Sequence, residues 1–160
     1  MFKKLRKLLL LFILFTFVNG SEVDLNKVLE QAKNQNKFIL FFHHIPKCPY
    51  CSSMIDENFK DSKILEVINK NFIYVDIYTA DTNTIRFKDF KGTAREFSKY
   101  IGAFAYPATL FMDAEGKVIH KAIGYRNIDE HIVDITYIST KSYKKMKFEA
   151  YKWKLDFEKD

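Results

Sequence analysis

Two cysteines three positions apart, Cys48 and Cys51, follow the apolar run Phe38 to Phe42 and a short loop, and they are the only cysteines among 160 residues. At a helix start, positions i and i+3 share one face and come within disulfide distance, so such a pair passes between dithiol and disulfide with little backbone movement. The spacing therefore predicts a strand that delivers the chain to the mouth of a helix. Pro49 suits the first turn, where a missing N–H removes no helical bond. Unpaired N–H groups and the helix dipole favour an anion there, which lowers a thiol pKa. Cys48 is thus the expected attacking thiolate and Cys51, one turn deeper, the resolving thiol. Lys47, His43 and His44 are candidate electrostatic modulators; neighbours on an extended chain point opposite ways, so at most one histidine should act on the sulfur.

Two other readings of the pair stay open. A purely structural disulfide suits an oxidising compartment, yet closing so small a loop removes little unfolded-state entropy. Metal binding would recruit the same thiolates with a histidine. Zinc asks for four convergent ligands, whereas a copper-delivering chaperone manages with two sulfurs and one imidazole. The sequence is read with no assigned metal site.

Lys3, Lys4, Arg6 and Lys7 precede the run Leu8 to Val18, apolar but for Thr16, the pattern of an export signal. A run of this length falls short of the about 20 residues a spanning helix wants, which favours a signal peptide over residues 1–20, cleaved after Gly20. An uncleaved anchor is the alternative. Without those four cations, 22 basic residues face 20 acidic ones, so the remaining chain is nearly balanced and nucleic-acid binding has little support. The expected location is periplasmic or otherwise exported.

Residues 21–140 read as one domain. Ser21 to Asp24 reads as the cap of a first helix with its stripe at Leu25, Val28, Leu29 and Ala32. Phe38 to Phe42 reads as a strand buried on both faces. A helix from Cys48 towards Phe59 and another from Asp61 follow, then an alternating strand over Phe72 to Tyr78. Residues 79–92 read as an inserted polar loop, and Thr93 to Tyr100 as a helix. Ala108 to Met112 and Lys117 to Ile123 form a hairpin about Asp113 to Gly116, and a helix from Asn127 to Tyr137 closes the domain. This order implies α/β architecture, a central mixed sheet flanked by helices. Residues 141–160 space aromatics as an amphipathic helix that packs on the domain; a partner surface or a membrane-surface helix is its alternative.

With the strand FILFF, the loop, Cys48-Pro49-Tyr50-Cys51 at a helix start and Tyr106-Pro107-Ala108-Thr109 opening a later strand, the chain resembles the thioredoxin superfamily. The resemblance covers about Ser21 to Thr140. Lys37 to Met54 and the stretch YPATLFMDAEGKVIHKAIGY look most like the periplasmic thioredoxin-like proteins, including the SoxW-type proteins and the C-terminal domain of the DsbD reductase. It implies a thioredoxin fold with a C-terminal helical extension, a thiol-disulfide oxidoreductase activity, and a cis-proline at Pro107 which, with Tyr106, helps position the substrate chain. Implied partners are disulfide-containing envelope proteins and a membrane thiol electron donor or acceptor. No small-molecule cofactor is implied beyond the Cys48–Cys51 disulfide itself. Lys47 stands where the family has tryptophan, and Phe42 where it often has a buried carboxylate that takes the proton of the resolving cysteine. A non-catalytic interaction module is the remaining alternative.

Overall fold

A computed structural model describes residues 21–158; the expected export signal lies outside the described residues. Seven strands and six α-helices run in the order β1 (Glu22–Asp24), α1 (Asn26–Gln35), β2 (Phe38–His44), α2 (Pro49–Asp56), α3 (Ser62–Asn71), β3 (Phe72–Tyr78), β4 (Thr84–Phe87), β5 (Phe90–Thr93), α4 (Ala94–Ile101), β6 (Ala108–Met112), β7 (Val118–Ile123), α5 (Ile128–Ser139) and α6 (Phe148–Phe157). The central sheet has the order β3-β2-β6-β7. β2 pairs parallel with β3 and antiparallel with β6, which pairs antiparallel with β7.

β2 is the hub because its side chains are apolar on both faces. Ile39 and Phe41 cluster with Leu25, just before α1, Ala32 of α1 and Phe97 of α4, whereas Leu40 and Phe42 cluster with Met54 of α2, Ile64 and Ile68 of α3, and Ile135 and Ile138 of α5. Helices therefore cover both sides of the sheet, as the continuous apolar strand requires.

Helix boundaries follow local chemistry. The Asp61 carboxylate accepts the Lys63 and Ile64 N–H groups at 2.9 and 3.0 Å and starts α3. Thr93 with Glu96, and Asn127 with Glu130, form reciprocal capping boxes at α4 and α5. Gly102 ends α4 with φ of 91°, the left-handed backbone that glycine reaches without a Cβ clash.

Two segments differ from the sequence expectation. Of the expected cap, Glu22–Asp24 is a strand paired parallel with β4, and only Asp24 serves the helix, its carboxylate accepting the Asn26 N–H at 3.0 Å. Residues 79–92 are not a featureless loop either, since they carry the β4–β5 hairpin. Together these strands make a second, small sheet of order β1-β4-β5. The physical reason is burial, because Ile85 and Phe87 alternate inward and join the core around Phe97. The tail forms a helix as its spacing predicts. Phe148 packs 5.1 Å from Tyr137 and 4.3 Å from His120, measured between ring centroids, and Tyr151 is buried beside them.

Candidate dithiol site

β2 ends at His44, and the chain turns through Lys47, whose φ of 55° is left-handed, before α2 begins. Cys48 is the N-cap residue of α2 in extended backbone, with Pro49 in the first turn. Its sulfur accepts the Cys51 N–H at 3.2 Å, so a helix-start amide points at the sulfur that would carry the charge. Cys48 and Cys51 are joined as a disulfide, with Cα atoms 5.2 Å apart. Burial separates the two sulfurs' surroundings: Cys48 is half-buried, whereas Cys51 is 2% exposed.

The loop opposite is built by β6 and β7. The Tyr106–Pro107 peptide bond is cis, as the resemblance implies. The Pro107 carbonyl accepts the Gly124 N–H at 2.8 Å, which ties the end of β7 to this loop. Directly after Gly124, Tyr125 lies 5.7 Å from Tyr50, ring to ring, so one aromatic pair joins the Cys-Pro-Tyr-Cys turn to the loop that carries Pro107. The Tyr125 hydroxyl also donates to Glu57 at 3.4 Å, past the end of α2. Tyr50 and Phe104 are exposed, and Tyr106 is half-buried.

His43 and His44 point to opposite faces of β2. His43 is fully buried beside Phe97, its Nδ1 lying 2.8 Å from the Ser98 hydroxyl. Since Ser98 donates its one hydrogen to the Ala94 carbonyl, His43 must donate from Nδ1, which leaves Nε2 unprotonated and without a partner. Burial pushes its pKa down to about 3, so His43 is neutral and lends no positive charge to the sulfurs. His44 stacks on Phe42 and Tyr78 and meets Asp76 at 3.0 Å. Lys47 is exposed beside Cys48. Phe42 is fully buried against Phe59, on the sheet face that α2 covers. No carboxylate therefore occupies that position. Among the described residues, no group of three or more His, Cys, Asp or Glu side chains is arranged to hold a metal ion.

Sequence reasoning missed the polar groups behind the site. His131 of α5 is buried and accepts the Asn58 amide N–H at 3.1 Å, and burial lowers its pKa to about 4. Asp134, fully buried, accepts from His120 at 2.6 Å and from Arg126 at 3.2 Å. Thr109 stands opposite Phe42 in the β2–β6 register, buried and with no partner for its hydroxyl. Only the third-position spacing of His131 and Asp134 on α5 hinted at any of this. Tyr125 closes the stretch quoted for the resemblance, but nothing in the spacing joined it to Tyr50.

The fold and this disulfide together define a thiol-disulfide oxidoreductase of the thioredoxin kind. Residues 25–134 match the family model of the thioredoxin-like domain, and the chain belongs to that family. Among solved structures, it is similar to a thioredoxin-fold protein from Helicobacter pylori at 17% identity and TM-score 0.63, over 76% of this chain and 86% of that one. A thioredoxin from Thermus thermophilus aligns at 15% identity and TM-score 0.58, over 75% and 87%. The DsbD C-terminal domain of Neisseria meningitidis in its oxidised form aligns at 16% identity and TM-score 0.51, over 72% and 91%. At these identities the likeness is one of fold. No curated protein matches by sequence.

Proposed function

We propose that this protein is exported and reduces disulfides of cell-envelope proteins, with Cys48 as nucleophile and Cys51 as resolving thiol. The carrying observation is the asymmetry of the pair: the half-buried cysteine is the one at the helix cap, and the buried one lies a turn below. In the reduced state the Cys48 thiolate attacks one sulfur of the partner's disulfide, that S–S bond breaks, and the other partner sulfur leaves as a thiolate. Cys51, deprotonated, then attacks Cys48, which releases the first partner sulfur. The partner ends with two thiols and the protein with the disulfide seen here. Restoring the dithiol takes two electrons from a thiol donor at the membrane.

Tyr106, Pro107, Tyr50 and Tyr125 frame the approach to Cys48, a setting for an extended peptide segment carrying the target cystine. Export rests on the charged and apolar leader. The reducing direction rests on the resemblance to DsbD-type reductase domains. Expressing Cys51→Ser tests the reading, because the mixed disulfide then has no internal resolver. Covalent adducts through Cys48 should accumulate with envelope proteins and dissolve on adding dithiothreitol. Absence of adducts in Cys51→Ser, with Cys48 shown to be reduced and alkylatable, would refute it.

A further inference from the structure

We infer that α6 docks the domain on an anionic membrane surface. The helix has two unlike faces. Phe148, Tyr151 and Leu155 turn inward onto α5 and its neighbours, and they account for its packing. On the outer side Trp153 and Phe157, one turn apart, are 68% and 81% exposed. Among the described residues neither ring joins a core cluster, and both are aromatic types that favour the bilayer interface, tryptophan most of all.

Charge selects the occupant. Lys141, Lys144, Lys145, Lys147, Lys152 and Lys154 stand in this segment against Glu149, Asp156 and Glu158. Lys152 is paired with Glu149, and Lys154 with Glu158. Lys144, Lys145 and Lys147, immediately before the helix, are exposed and free of any acidic partner within ion-pair distance among the described residues. An exposed aromatic pair on the later turns of α6, with unpaired lysines leading into its first turn, suits lipid headgroups of negative charge when the helix lies flat, with the rings in the interface and the lysines over phosphates. No described helix is long and apolar enough to cross a membrane, so this contact lies on the surface.

Trp153 is the chain's one tryptophan and reports on the contact directly. The full chain is mixed with vesicles of phosphatidylcholine and phosphatidylglycerol, or of phosphatidylcholine alone, and Trp153 emission and its quenching by brominated acyl chains are recorded. The expected result is a blue shift and quenching on the anionic vesicles only, reversed by high salt. Lys144→Glu/Lys145→Glu should weaken the response roughly tenfold or more, and Phe157→Ser should weaken it while leaving the fold intact, since that ring is exposed. Emission is the readout because an apolar leader could hold the chain on either vesicle without moving Trp153. Unshifted emission on anionic vesicles overturns the inference. So does an equal shift on neutral vesicles, or a shift that grows with protein concentration without lipid, which would mark a second copy as the occupant.

Discussion

Lowering the pH from 7 to 5 should destabilise this protein steeply, and two buried histidines set the size of the effect. His43 and His131 have their pKa values pushed from 6.5 to about 3 and about 4, in both cases first by burial. Asp76 pulls His43 upward and His44 opposes it, while Asp134 and Arg126 play those parts for His131, and burial exceeds each. A histidine with a depressed folded pKa stabilises the fold above its unfolded pKa, and that stability is lost as the pH falls, because the unfolded chain takes up protons the folded chain refuses. Between pH 7 and 5 each imidazole should contribute a loss of ~2 kcal/mol, from 1.36 kcal/mol per pKa unit, giving about 4 kcal/mol for the pair. The carboxylates with lowered pKa values, Glu22, Asp24 and Glu96, have ordinary values of 4.5 or below and titrate beneath this window. Urea unfolding followed by far-ultraviolet circular dichroism at pH 7, 6 and 5 measures the loss. His43→Gln/His131→Gln, whatever its starting stability, should remove most of this pH dependence. A wild-type loss under ~1 kcal/mol across the window would refute the reasoning.

Asp134→Ala strips His120 and Arg126 of their shared buried acceptor and should cost about 3 kcal/mol, a fall of roughly 10 °C in Tm by calorimetry, with insulin-reduction activity at low temperature unchanged; a Tm within a degree or two of wild type would contradict the buried network. Tyr125→Ala removes an aromatic contact worth ~1 kcal/mol, so Tm should fall by only about 3 °C while stopped-flow exchange with a peptide disulfide slows several-fold. An unaltered rate would remove Tyr125 from the site.

The parts of this fold legible in the sequence are those whose pattern is long or whose chemistry is local. Phe72 to Tyr78 alternates over a full strand, Asp61 and Thr93 announce their helices by capping, and Cys48-Pro49-Tyr50-Cys51 fixes a helix start by itself. The β4–β5 hairpin was hidden because Thr84-Ile85-Arg86-Phe87 offers only two inward side chains among polar neighbours, and its stability comes from Phe97, ten positions further on. β1 was hidden for a related reason: three residues with one apolar side chain, Val23, carry no periodicity, and their partner strand lies 62 positions away. At the site, the Cys48–Cys51 pairing followed from the spacing, and the cis bond before Pro107 from the resemblance. The Tyr50–Tyr125 contact and the Asn58–His131 pair could not, because each joins residues brought together only by the completed sheet.

The sulfur of Cys48 has a double occupation: it is the atom that would trade bonds with a substrate, and it is also the acceptor that closes the first turn of α2. Electron transfer and helix initiation are therefore thermodynamically linked through a single atom, and linkage of this sort acts in both directions. Whatever firms the opening of α2, a bound peptide included, alters the balance between the oxidised and reduced forms. Each change of oxidation state in turn resets how tightly that opening is held, so the segment that presents the sulfur is retuned when that sulfur exchanges its bond.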